Sequence, residues 1–365
     1  LPYGKWQEVD TGGSAQLQIR LQPAGHILGS AYIECRVSGE PGSKPVKIIF
    51  SGDLGAPYTP LLPAPKSPYS ADLVVLESTY GNRQHEPVVD LKPKLKQILV
   101  ETYDRGGTIM IPSFAFGRTQ ELLYVLHELY IENDVPRFPV YVDSPLATNI
   151  TRVFVEHPEA YDQETHETFL QQGKNPFQFE KVNFVGSVEE SIALNRDQTP
   201  HIVVSASGMC EAGRILHHLR HKIHDAKNTV LIVGYMAQNT LGRRILEQGL
   251  AYEDSGRKGE PPLVRFMNKE YPLKARVVKL GGFSAHADKN EMHRFLQKSN
   301  LKIKKIALVH GEEDQILAFE KDLKGKGFDV VVPRRGETIS CLLYTSPSPR
   351  DQRPNLVCRL RLEKR

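Results

Sequence analysis

Cysteine is scarce in this 365-residue chain. Its four cysteines, Cys35, Cys210, Cys341 and Cys358, form no C-x-x-C pair, so no disulfide framework is indicated. Long apolar runs are missing too: VVL at 74–76 and TVLIVGY at 229–235 fall far short of a membrane span. No signal-peptide pattern is visible. Neither charge dominates. Lys and Arg number 47 against 43 Asp and Glu, leaving a net charge of +4 and a pI near 8.7. That balance permits a nucleic-acid partner but does not argue for one. No repeat of fixed period occurs. A reducing, cytoplasmic setting without membrane contact is the expectation. Finally, no H-x-H-x-D-H cluster occurs and the chain begins at Leu1 rather than methionine. The expectation from both is the C-terminal part of a longer enzyme.

What is present is ordinary globular composition, 40% hydrophobic and 25% charged, in a chain long enough for two domains with sizeable cores. The first stretch reads as β-rich: LQIRL (17–21) and AYIECRV (31–37) alternate, and VKIIF (46–50) is a continuous apolar strand. Residues 55–70 hold five prolines and read as a loop, followed by the buried strand LVVL (73–76). Strand, turn and helix then recur through TIMI, FPVYV, HIVVS, TVLIV, RVVKL and KIALV. Such alternation predicts a largely parallel sheet covered by helices, with sites at the carboxyl ends of its strands. Asp288 with Glu291 predicts a capping box. Residues 252–262 read as a polar loop or a connector between domains. The tail from Cys341, CLLYTSPSPRDQRP, has no usable period and reads as non-native or disordered.

Several strand ends carry metal-capable side chains beside glycine: AGHILGS at His26, IFSGDLG at Asp53, ALVHGE at His310 and GGFSAHAD at His286. Each has a plain structural reading. His26 suits a hydrogen-bonded turn, Asp53 an Asx turn, and His310 a strand-terminal residue capped by Glu312. Glu77 ends LVVLE, where acidic residues are common. Three further segments, Ser113 to Arg118, Asp143 to Ala147 and Ala206 to Arg214, turn from strand to helix. Their small residues, Ser207 and Gly208 among them, leave backbone N–H groups for an anion, and Arg118 and Arg214 could add bidentate phosphate contacts. They are equally plain β–α turns. His217, His221 and His224 share a helix face near His218, but without interleaved carboxylates or cysteines a solvated or interdomain helix is the better reading. Trp6 reads as a packing residue.

Taken in order, AGHILGSA, FSGDLG, LESTYG, IPSFAFGRTQELL, VDSPLA, SASGMCEAGRI, GGFSAHAD and LVHGE resemble the metallo-β-lactamase fold enzymes of the β-CASP group. That group includes the endonuclease subunit of the cleavage and polyadenylation machinery and related bacterial and archaeal ribonucleases. The resemblance runs from about residue 3 to 340. It implies an α/β fold: an αββα metallo-β-lactamase sandwich, truncated at its N-terminus, with an inserted α/β β-CASP domain. The core would comprise 1–81 and 273–340, the cap 82–272, with the active site where the two meet.

The resemblance also implies roles. His26 is a ligand of a first zinc, His310 of a second, and Asp53 bridges the two. His286 protonates the leaving oxygen, with Glu77 holding its ring and raising its pKa. Ser113, Arg118, Ser207, Gly208 and Arg214 contact RNA phosphates. Two zinc ions are expected in the complete protein, whereas this fragment alone is expected to be inactive and to bind zinc poorly. RNA is the implied partner, and a homodimer is compatible. The implied activity is metal-dependent hydrolysis of RNA phosphodiester bonds. Two alternatives stay open: a non-catalytic RNA-binding scaffold, and a small-molecule metallo-hydrolase on the same fold.

Overall fold

The structure is a computed structural model that describes residues 1–39, 44–57, 59–68, 70–84, 90–297 and 303–339. The tail from Cys341 lies outside the described residues. The chain divides into two compact units. The first holds Leu1–Pro57, Pro63–Gln84 and the chain from Ala285 on; the second holds the intervening residues.

The first unit opens with β1 (Gln7–Val9), β2 (Gln16–Pro23), β3 (Ala31–Ser38) and β4 (Val46–Phe50), paired antiparallel in sequence order. The alternating side chains of β2 and β3 suit a sheet with two different faces. After the proline-rich loop, β5 (Leu73–Glu77) joins β4 in parallel, and all five of its residues are buried.

The second unit contains α1 (Leu91–Asp104), β6 (Ile109–Pro112), α2 (Arg118–Ile131), β7 (Val140–Val142), α3 (Pro145–Glu156), α4 (Gln163–Thr168), β8 (Val182–Phe184) and α5 (Val188–Arg196). It continues through β9 (Ile202–Ser205), α6 (Ile215–Lys222), β10 (Thr229–Ile232), α7 (Leu241–Asp254), β11 (Leu263–Phe266), β12 (Lys269–Pro272) and β13 (Arg276–Lys279). Six strands form a parallel sheet in the order β13-β10-β6-β9-β7-β8. β6, β9 and β10 are buried throughout, which is why they read as continuous apolar runs rather than alternating ones.

Two stretches near the end of the second unit decide how its sheet is completed. From 273, where the sequence reading places the second part of the core, β13 pairs with β10 in the second unit's sheet. The chain returns to the first unit at Ala285. An apolar run such as RVVKL suits either sheet, and the available strand edge decides. Of the two readings of residues 252–262, the loop holds: α7 runs to Asp254, and the following loop leads into the β11–β12 hairpin of the same unit.

On return, the first unit adds α8 (Lys289–Gln297), β14 (Lys305–Val309), α9 (Glu313–Gly325) and β15 (Val330–Val331). The reciprocal hydrogen bonds of Asp288 and Glu291 make the capping box that starts α8. β14 enters between β5 and β15, completing a seven-stranded sheet. One face packs Tyr32, Ile49, Val74, Leu76, Ile306 and Leu308 against Met292, Phe295 and Phe319 of the two helices. The other face presents Ile48, Leu73, Val75 and Ala307, with Ile339 against them. This supplies one sheet and one helix layer of the sandwich. Among the described residues, no helix is long and apolar enough to cross a membrane.

Candidate metal centre

The loops that carry the candidate ligands leave the carboxyl ends of first-unit strands or follow Ala285. His26 lies in the β2–β3 connection, three residues beyond Pro23. The turn closes on Ser30, whose hydroxyl oxygen accepts the N–H groups of His26 and Ile27. Gly25 adopts φ +68°, and a Cβ there would meet the Pro63 carbonyl at 2.7 Å. The loop after β4 approaches more closely still. Gly55 donates its N–H to Ala24, and a Cβ on Gly55 would lie 1.9 Å from the Gly25 carbonyl oxygen. Glycine at both positions lets the His26 and Asp53 loops touch backbone to backbone.

Within this frame Asp53 stands between two imidazoles. Its Oδ2 is 3.8 Å from His26 Nε2 and its Oδ1 is 3.4 Å from His310 Nε2. His26 donates from Nδ1 to the Ala285 carbonyl at 3.0 Å, which turns Nε2 toward Asp53. Burial, reinforced by the charge of nearby His286, holds the His26 imidazole below the usual histidine range. That favours the neutral form, the one able to bind a metal. His310 follows β14 with a left-handed φ of +52°. Its carbonyl accepts the Ser78 N–H, tying it to the end of β5.

Glu77 is buried and uses both oxygens. Oε1 accepts the Leu54 N–H and Oε2 accepts from His286 Nδ1 at 3.0 Å. The Glu77 N–H is itself held by Ser51 Oγ at 3.0 Å. His286 sits with its ring centroid 4.4 Å from that of His26 and 6.0 Å from that of His310. His26, Asp53 and His286 can bring one ligand atom each to within 4.8 Å of one another. The donor set, imidazole nitrogens and a carboxylate, is one that zinc accepts, so these residues fit a divalent ion. The structure thus brings together His26, Asp53, Glu77, His286 and His310. It also brings His286 within ligand reach, although the sequence reading gave it a different role.

The expected phosphate-contact residues lie in the second unit, in turns after β6 and β9. Ser113 is buried with its hydroxyl against Thr119 at 3.0 Å. Arg118, the first residue of α2, is buried and paired with Glu121. Ser207 Oγ accepts the N–H groups of Glu211 and Ala212. Gly208 stands where a Cβ would press on the Phe114 ring at 2.7 Å. Arg214 donates to Asp143 at 2.6 Å. Both guanidiniums are therefore committed to carboxylates within their own unit.

Sequence reasoning missed the importance of Asp143. It is fully buried and accepts from Ser191, Arg214 and His218 at 2.6, 2.6 and 2.7 Å. These bonds hold its carboxyl below the usual range despite burial, which opposes them. The α6 helix, expected to be solvated or interdomain, accordingly buries His218 and Lys222. Histidines three and four residues apart signal a helix face, but nothing local reveals the aspartate waiting beneath it. Trp6 packs under Arg36 and Arg20.

Residues 119–245 match the Beta-Casp domain, and residues 270–333 match the Zn-dependent metallo-hydrolase RNA specificity domain. Ribonuclease TTHA0252 of Thermus thermophilus is 38% identical over 339 residues, covering 93% of this chain and 72% of that protein. The chain belongs to the β-CASP metallo-β-lactamase family. Other β-CASP relatives include an RNase J-like protein of Methanocaldococcus jannaschii, 32% identical over 330 residues, with 88% of this chain and 70% of that protein covered. The transcription termination factor FttA of the same organism is 32% identical over 317 residues, covering 85% of this chain. The chain spans about half of that factor's length, 48%.

Proposed function

We propose that this chain carries the metal-binding and proton-transfer residues of a zinc-dependent ribonuclease hydrolysing RNA phosphodiester bonds. The observation that best supports this is Asp53, with one carboxylate oxygen toward His26 and the other toward His310. A carboxylate whose two oxygens face different imidazoles would suit a site that holds two cations. The RNA specificity domain and the ribonuclease relatives support RNA as the substrate.

In this reading His26, Asp53 and His310 hold zinc, two ions in the complete site. Bound zinc supplies positive charge beside the phosphodiester and makes a nearby water more acidic. The protein's own residues orient and move protons. The Ala285 carbonyl and the Glu77 carboxylate each take an Nδ1–H, from His26 and His286 respectively. Nε2 of His26 is thereby presented as a ligand, and Nε2 of His286 gives its proton to the 3′ oxygen leaving phosphorus. The product keeps a 5′-phosphate.

Because His286 is also within ligand reach, its role is the one to test, on the full-length protein. His310→Ala should lose zinc and RNA cleavage together. His286→Ala should keep its zinc while cleavage falls about 10²–10⁴-fold, the usual cost of a lost general acid. An RNA with a 3′-bridging sulfur leaves as a thiolate and needs little protonation, so it should restore His286→Ala far more than His310→Ala. Equal zinc loss in both variants, or rescue of neither, defeats the assignment. Parent cleavage that survives complete removal of metal defeats the metal-dependent reading itself.

A further inference from the structure

The other end of the same strands carries a second group of polar side chains. Side chains two residues apart share a sheet face, so Tyr32, Glu34 and Arg36 line one face of β3. The antiparallel register sets Arg20 opposite Glu34, and in the next row Gln18, Arg36 and Lys47 lie side by side. The two rows differ in charge. Arg20 is neutralised by the Glu34 carboxylate. Arg36 and Lys47 are direct cross-strand partners of like charge, an arrangement that weakens a sheet unless something negative lies between them. Among the described residues, no carboxylate pairs with the Arg36 guanidinium. Its Cζ instead stands 3.8 Å from the centroid of the Trp6 ring.

That stacking uses the face of the guanidinium and leaves its N–H donors, which lie in the plane, pointing outward. Lys47 Nζ donates to Ser70 Oγ at 2.6 Å, so the serine's own O–H remains to be given. Trp6, Arg20, Glu34, Arg36, Lys47 and Ser70 line a cavity of about 240 Å³; the one carboxylate among them, Glu34, is paired with Arg20, so the charge left over is that of Arg36 and Lys47. Lys47 precedes Asp53 by six residues, so along an extended chain the cavity and the metal centre are on the order of 20 Å apart.

We propose that this cavity binds a phosphate group and is a site separate from the metal centre. A tetrahedral oxyanion matches the donors: a planar fork from Arg36, a point charge from Lys47 and a hydroxyl from Ser70. It also relieves the like-charge pair. The cavity lies below the usual ~300–1,000 Å³ of sites for whole small molecules, which suits a phosphate group better than a cofactor. Two sources carry this chemistry, the phosphates of an RNA strand and free phosphate.

Trp6 is the chain's single tryptophan, so its emission reports on this cavity alone. The full chain is titrated in EDTA with inorganic phosphate, with sodium chloride of equal ionic strength as reference. A 5′-phosphorylated single-stranded RNA and its unphosphorylated counterpart follow. Equilibrium dialysis measures bound phosphate and bound RNA directly. The expected result is a saturable change in Trp6 emission with phosphate or with RNA but not with chloride. Arg36→Gln and Lys47→Gln should each weaken the midpoint about tenfold or more, without a lower melting temperature, since each removes a like-charge repulsion. Saturation by RNA at much lower concentration than by phosphate identifies the strand as the source; the reverse identifies free phosphate. A flat Trp6 signal together with no bound phosphate or RNA overturns the proposal. So do unchanged midpoints in both variants. No arm depends on cleavage, so failure of the ribonuclease reading would leave this result standing.

Discussion

Glu77 does two jobs with one carboxylate. Its oxygens join the Leu54 N–H, beside Asp53, to the His286 ring, and the side chain is 1% exposed. Glu77→Gln replaces one acceptor with an NH₂ that must face an N–H, leaving buried donors unpaired at about 1–3 kcal/mol. Stability should fall by that order, and RNA cleavage should fall with it because His286 loses its orientation. Denaturant melts and cleavage rates measured on the same preparation check this; parent-like values for both would show that Glu77 positions nothing. A second residue gives a pH test. Burial pushes the Glu291 carboxyl from 4.5 up to about 7 against the opposing Asp288 N–H bond. A folded-state value above the unfolded one means that folding favours the protonated form. This contribution is fully present below about pH 4.5 and is lost as pH rises through about 7. Glu291→Gln, which can still cap α8, should therefore be more stable than the parent at pH 8. We expect a gain on the order of 1 kcal/mol after allowance for partial exposure, vanishing near pH 4.5. A gain that is equal at both pH values would exclude ionisation as its cause.

Among the elements, the loops at strand ends impose the tightest requirements. Gly55→Ala puts a methyl 1.9 Å from the Gly25 carbonyl, so the His26 and Asp53 loops must separate. A loss of about 2–4 kcal/mol is expected for such a backbone clash, together with weaker zinc binding. Gly13, with ordinary φ and open space around it, is the control, and its alanine variant should change neither. Calorimetry and zinc titration of the two variants decide the matter. In the second unit Asp143 ties β7 to α5 and α6 through Ser191, Arg214 and His218. Asp143→Ala strands all three partners, of which Ser191 and His218 are buried, and should cost about 3–5 kcal/mol, while Asp143→Asn should cost less. Strand and helix positions were largely readable: VKIIF is β4, RTQELLYVLHELYI begins α2 where the pattern places it, and KIALV is β14. α1 and α5 were not singled out, and α6 begins four residues after 211, because the 206–214 turn folds on Ser207 before helix can start.

For the molecule as a whole, the segment from Cys341 has no core-forming period in its sequence. Removing 341–365 should therefore leave the melting temperature almost unchanged, as measured by calorimetry on the shortened and full chains; a large drop would mean that the tail packs. The sequence alone determined the family, the α/β class and which side chains stand at strand ends. These follow from apolar periodicity and from short motifs in order, both properties of neighbouring residues. Only the tertiary structure decided the rest. It showed Asp53 turning its two oxygens toward different histidines, and His286 lying as close to His26 as a ligand would. It showed Arg118 and Arg214 committed to buried carboxylates rather than left free, and β13 adding to the second sheet. It set Arg36 against Lys47 over Trp6. Each of these depends on residues far apart in the chain meeting at a few ångströms. Such a meeting is fixed by sheet register, loop closure and burial, none of which leaves a local trace in the order of amino acids.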